Sequence, residues 1–129
     1  MTSPPGRNAA ILIADDDALV RTVLRMALVA EGHTVVEAVD YPSIAAIDAA
    51  TPLWLAILDI HMPGGSVHDS LDALARRTPA PTVLLLTGGS SPEATVADRV
   101  QGIARKPIEL EDLRARVAAL LAPRPDVAS

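Results

Sequence analysis

The side chains in this sequence that could handle phosphorus sit in "ADDD" (Ala14–Asp17), "LD" (Leu58–Asp59), "LT" (Leu86–Thr87) and "RKP" (Arg105–Pro107), each just after an apolar run. Asp15, Asp16 and Asp17 crowd like charges that repel unless a cation neutralises them, so the triplet asks for a metal or a lysine. Asp59 closes "LWLAILD". An aspartate emerging from a buried run is held in position, and its carboxylate can attack phosphorus to form an acyl phosphate. Asp15 and Asp16, with Asp59, offer the hard oxygens that Mg²⁺ prefers, water and substrate oxygens filling the rest of its shell. Thr87 precedes Gly88 and Gly89, so its hydroxyl can donate to a phosphoryl oxygen where the glycines leave room. Lys106 can pair with an anionic phosphoryl group as a point charge. Taken singly, each has a plainer reading: a turn aspartate, a solvated helix N-terminus favoured by the macrodipole, a turn threonine, a surface lysine. Their shared position after apolar runs makes them a phosphoryl-transfer inventory.

The elements that must position them alternate regularly. After Asp17, Val20, Val23, Leu24, Ala27 and Leu28 form the stripe of a helix with one buried face, with Asp17 as N-cap and Gly32 just past its end. "TVVEA" reads as a strand, "SIAAIDAA" as a helix with Ile44 and Ile47 inward, and "LWLAIL" as a fully buried strand. Val67, Leu71 and Leu74 mark a third helix and "TVLLLT" another buried strand. "SPEATVADRV" is a short helix with Ser91 capping and Pro92 at its first position, and "GIAR" a weak strand. The last helix carries Leu110, Leu113, Val117, Leu120 and Leu121 on one face. Such a series of βα units implies a parallel sheet covered on both sides. Ligands then bind at the carboxyl ends of the strands, where the residues named above would gather on one rim.

The totals set bounds. At 129 residues the chain suits one domain, expected over residues 9–122, with Pro-rich polar tails at 1–8 and 123–129. Phe is absent and Trp and Tyr occur once each, so the core must be aliphatic. There is no cysteine, which fits a reducing compartment, the cytoplasm by default. Basic residues number 11 against 16 acidic, a net charge of -5, the wrong sign for binding nucleic acid through phosphate contacts. No apolar run approaches the length of a membrane span, and the N-terminus lacks an apolar export segment.

"ILIADDD", "AILDIHMPGG", "LLLTGG" and "ARKPIEL" resemble, in order and near spacing, the receiver (CheY-like) domain of two-component response regulators over about residues 9–121. "DIHMPGG" is the most specific piece. The resemblance implies a flavodoxin-like, doubly wound (βα)5 three-layer sandwich with a five-stranded parallel sheet in the order 2-1-3-4-5. It makes Asp59 the phosphoacceptor and Asp15 and Asp16 the acidic Mg²⁺ pair, Asp16 the direct ligand, with the backbone carbonyl of His61 completing the metal shell. Thr87 becomes the switch hydroxyl, and Lys106, ahead of a cis proline, the phosphate-pairing lysine. The implied partners are a sensor histidine kinase or histidine phosphotransfer protein and a downstream protein target. Catalysis would be confined to the domain's own phosphorylation and dephosphorylation, without a membrane or direct nucleic-acid contact. With no effector domain after the last helix, the expectation is a single-domain regulator.

The sequence departs from the family in the span from Thr87 to Lys106, which is short, so the fourth helix or the strand after it should be abbreviated. Ile103 stands where an aromatic is usual, which removes the coupled threonine–aromatic rotation. Gly88–Val100 has Val96 and Val100 as its only large apolar anchors and is expected to open easily. Gly89 should leave water free access to a phosphoryl group. His61 is expected beside the phosphate or simply in a solvent-facing loop, and His33 and His68 at the surface. The alternative is a small haloacid-dehalogenase-like Mg²⁺-dependent phosphohydrolase using Asp15, on the strength of Asp15-x-Asp17, "LLLT" and Lys106.

Overall fold

The computed structural model describes residues 9–89 and 91–121. The expected tails and Ala122 lie outside them. Five parallel strands, β1 (Ala10–Ala14), β2 (Thr34–Ala38), β3 (Leu53–Asp59), β4 (Thr82–Thr87) and β5 (Gly102–Arg105), form one sheet in the order β2-β1-β3-β4-β5. Between and after them run α1 (Ala18–Ala30), α2 (Tyr41–Ala45), α3 (Val67–Ala75), α4 (Ala94–Ala97) and α5 (Leu110–Leu121). This is the flavodoxin-like arrangement, and the strand order reverses about β1 so that its neighbours are β2 and β3.

Side chains alternate across a strand, so each buried strand feeds two cores. Ile11, Ile13, Leu55, Ile57, Leu84 and Leu86 pack with Leu24 and Leu28 of α1 and Leu113 and Val117 of α5. Leu12, Ala14, Ala56, Leu58, Val83 and Leu85 pack on the other face with Ile44 of α2, Leu71 and Leu74 of α3 and Val96 of α4. Strands buried on both faces read as unbroken apolar runs, which is why β1, β3 and β4 are legible.

Asp17 caps α1, its carboxylate accepting from the Leu19 and Val20 amides. Gly32, at φ +91°, follows the C-cap Glu31; its amide donates to Val29 O at 2.9 Å and that of His33 to Leu28 O at 3.1 Å, closing the helix in the left-handed turn that glycine favours. The apolar stripe is narrower than the sequence suggests. Leu24, Ala27 and Leu28 are buried, whereas Val23 is 41% exposed and joins Leu19 and Met26 in an outward apolar row. Leu110 is likewise 37% exposed, and α5 packs through Leu113, Val117 and Leu121.

The second helix starts earlier and ends sooner than "SIAAIDAA" implies. Asp40 is its N-cap in a reciprocal box with Ser43, and the carbonyls released beyond it at Ile47, Asp48 and Thr51 are taken by the Arg77 guanidinium. The fourth helix is indeed short, a single turn. It begins after Glu93 without a side-chain cap, so Ser91 and Pro92 precede it and do not start it. Val96 beneath it is buried, and Arg99 ties its end to Asp72 of α3 at 2.6 Å.

Candidate functional site

The rim at the carboxyl ends of β1, β3, β4 and β5 brings the sequence-named residues together. Asp15 is wholly buried. Its amide donates to Ala38 O at 3.1 Å, its Oδ1 accepts from the Asp17 amide at 2.9 Å, and its carbonyl accepts from Arg21 Nη1 at 2.7 Å. Arg21 is held in turn by Glu37 of β2 at 3.2 Å. Asp59, 5% exposed, ends β3 with Oδ1 accepting from the His61 amide at 3.1 Å. Asp16 is exposed, and carboxylate oxygens of Asp15, Asp16 and Asp59 all lie within 4.8 Å of one another.

Lys106 supplies the counter-charge. Its Nζ stands 2.7 Å from Asp15 Oδ2 and 3.2 Å from Asp59 Oδ2. The Lys106 amide donates to Thr87 O at 2.8 Å, which ties the start of the lysine to the end of β4, and the Lys106–Pro107 peptide is cis. β4 lies between β3 and β5, which puts buried Thr87 on the rim between Asp59 and Lys106. Burial pushes the Asp59 pKa up and the Asp15 charge adds to it, outweighing the His61 amide and Lys106. Burial works against the Lys106 charge, yet the two carboxylates win and hold its pKa above the ordinary lysine value.

"DIHMPGG" has a structural reason residue by residue. Met62 turns into the core, Pro63 O accepts from the Tyr41 amide at 3.1 Å, and Gly64 sits at φ +90° where a Cβ would come 2.6 Å from Pro42 Cδ. His61 is exposed and His68 half-buried, and both line a cleft of about 770 Å³ with Asp16, Tyr41, Met62 and Val96. His68 is thus not a bare surface residue. His33 is half-buried. Gly88 and Gly89 face open space, and Arg105 donates to Gly89 O at 3.0 Å, an anchor on this segment beyond Val96 and Val100.

The phosphohydrolase alternative loses its second carboxylate here. Asp17 is spent on capping α1, and the partners of Asp15 across the rim are Asp16 and Asp59. Tyr41 and Arg21 are site neighbours that sequence reasoning missed. Both act by hydrogen bonds to backbone carbonyls far along the chain, and such bonds leave no motif.

The family model described as response regulator receiver domain matches residues 11–118. The transcriptional regulatory protein TctD of Salmonella typhimurium is 36% identical over 118 residues, covering 86% of this chain and 51% of its own. The response regulator protein PmrA of Pseudomonas aeruginosa is 38% identical over 119 residues, covering 85% and 51%. The chain spans about half the length of these curated relatives. A receiver domain protein (CheY-like) of Methanospirillum hungatei, solved as a crystal structure, superimposes with a TM-score of 0.78 at 26% identity, over 88% of this chain and 93% of that one.

Proposed function

The chain belongs to the response regulator receiver domain family, and on that premise we propose that Asp59 is its phosphoacceptor, served by Mg²⁺, Thr87 and Lys106. The observation that carries this is the Asp59 carboxylate itself: buried at the end of a central strand, 3.2 Å from the Lys106 ammonium and within 4.8 Å of the carboxylates of Asp15 and Asp16. An Asp59 oxygen attacks the phosphorus of a phosphohistidine. A P–O bond forms, the P–N bond breaks, and its electron pair leaves on the imidazole nitrogen. Little covalent help is needed in such a transfer, since positioning and charge neutralisation do most of it.

The donor set fits a hard divalent ion. Three carboxylates against one ammonium leave an excess of two negative charges on the rim. Asp15, Asp16 and Asp59, with the His61 carbonyl, would hold Mg²⁺, Asp16 as direct ligand. When bound, the ion supplies positive charge for the phosphoryl oxygens. Thr87 donates its hydroxyl to one of those oxygens and Lys106 pairs with another.

The donor protein is a sensor histidine kinase or a histidine phosphotransfer protein, and the output is a changed surface read by a protein target. The outward row of Leu19, Val23 and Met26 supports a protein partner, because it borders an apolar groove that reaches Lys106, Pro107 and Ile108 beside the site. The net charge of -5 speaks against direct nucleic-acid contact. Among the described residues no helix is long and apolar enough to cross a membrane.

The test is intact-mass measurement after incubation with acetyl phosphate, with and without Mg²⁺. A Mg²⁺-dependent adduct that is lost in Asp59→Asn is expected. An adduct that persists in that variant sinks the assignment, and one lost only in Asp15→Asn supports the phosphohydrolase reading.

A further inference from the structure

The single tyrosine of the chain stands outside the set of residues just described, at the first position of α2, and is 5% exposed. Its ring belongs to the core beneath α2 and α3. Its hydroxyl meets the backbone just past β3. It donates to Ile60 O at 2.6 Å, with Asp59 O farther off at 3.4 Å. The carbonyl of Ile60 and the amide of His61 are two ends of one peptide unit, and that amide donates to Asp59 Oδ1 at 3.1 Å. A continuous chain therefore runs from the Tyr41 O–H through one peptide group to the carboxylate.

We propose that the Tyr41 hydroxyl is a positioning group for the Asp59 carboxylate, acting through the Ile60–His61 peptide. Two physical effects follow from the geometry. A donor on the carbonyl polarises the peptide and strengthens the bond its N–H makes, as successive hydrogen bonds in a chain do. The same donor fixes the peptide plane, which would otherwise be free to turn in a loop just past the end of β3. With Oδ1 held, the carboxylate cannot rotate about its Cβ–Cγ bond, and its plane is set before a phosphodonor arrives.

The surroundings fix Tyr41 in turn. Its amide donates to Pro63 O at 3.1 Å, so the residue grips the loop at two points. The start of α2 is locked by the Asp40–Ser43 box, with Asp40 Oδ1 accepting from the Ser43 amide at 2.8 Å. On the strand side, the Ile60 amide donates to Leu86 O at 3.1 Å. Ile60 is thus held at both its N–H and its C=O, and among the described residues the side chain in that bracket is Tyr41.

This inference rests on Asp59 as the phosphoacceptor, and the experiment separates the two. Tyr41→Phe removes one oxygen and keeps the ring in the core. The wild type and the variant are compared by labelling with acetyl phosphate at saturating Mg²⁺, and by the His61 amide resonance in ¹H–¹⁵N spectra of the metal-free proteins. The expected result is labelling slowed about five- to tenfold at saturating phosphodonor, the scale on which lost orientation acts. The His61 amide proton should also move upfield, with amides outside residues 39–43 and 59–63 staying in place. A labelling rate within about twofold of wild type, or a His61 amide that does not move, overturns the proposal. If the wild type takes no label, the Asp59 reading fails, and the amide resonance still decides whether Tyr41 holds the peptide.

Discussion

Replacing Asp59 by Asn should make the metal-free protein more stable. Carboxylate oxygens of Asp15, Asp16 and Asp59 lie within 4.8 Å of one another, and at an effective dielectric constant of about 20 each such pair repels by about 3.5 kcal/mol or more. Lys106 at 3.2 Å from Asp59 returns about 5 kcal/mol by the same arithmetic. The burial of Asp59 and repulsion from Asp15 exceed that attraction and the pull of the His61 amide, which is why the Asp59 pKa is raised. Asn keeps the shape and removes the charge, while Lys106 keeps its contact of 2.7 Å with Asp15. Allowing for the exposure of Asp16, we expect a gain of about 1–2 kcal/mol at neutral pH, or roughly 3–8 °C in Tm. The sign with pH follows from the raised pKa. The folded state holds the Asp59 proton more tightly than the unfolded one, so wild-type stability falls as pH rises above the ordinary carboxylate value of 3.8, and the advantage of Asn disappears below it. Mg²⁺ should reverse the ranking, since at about a hundred times its Kd an ion adds about 2.7 kcal/mol to the protein that binds it, and Asn is a poorer ligand. Thermal melts in EDTA and in Mg²⁺ from pH 4 to 8 measure this. An Asn variant that melts below wild type in EDTA at neutral pH refutes the charge balance.

Two further outcomes are expected. Burial raises the Tyr41 pKa to about 12, so the pH-dependent rise in absorbance at 295 nm, which only this tyrosine supplies, should titrate well above pH 10; the stability that the neutral phenol contributes is present below 10 and lost as pH rises toward 12. A midpoint near 10 in the folded protein counts against the buried Ile60 hydrogen bond. The segment from Gly88 to Val100 should exchange amide protons faster than α1 in the metal-free protein and slow on addition of Mg²⁺ and beryllofluoride, as Thr87 and Lys106 are drawn onto the phosphoryl mimic. Equal protection in the two regions before addition rules out an order–disorder switch.

Much of the site is legible in the sequence because parallel strands buried on both faces admit few polar residues, so the first one after each run marks the rim. Asp15 and Asp59 are found that way, and the structure puts both in contact with Lys106, which follows Arg105 at the end of β5. Helix faces are less legible. A stripe at helical spacing says that Val23 and Leu24 share a side of α1, but the sheet reaches only far enough to cover Leu24, and the same holds for Leu110 beside Leu113. Ser91 and Pro92 carry a sound start signal for a helix, yet a single turn has too little buried surface to enforce it, and packing of Val96 decides where α4 begins. Tyr41 and Arg21 could not be read at all. What they do depends on which backbone carbonyl the fold delivers to them, 19 residues away in one case and 6 in the other.

Lys106 is one ammonium divided between two carboxylates, and that sharing gives the site a logic. An arriving phosphoryl group must compete for the same cation, and Asp15 can release it only if other positive charge takes its place. On the reading of Asp59 as the phosphoacceptor, a phosphoryl group draws Lys106 away from Asp15 most readily when a divalent ion offsets the carboxylate left behind. The rim would then act as a coincidence detector, with Lys106 changing partner fully only when phosphoryl group and ion are both present.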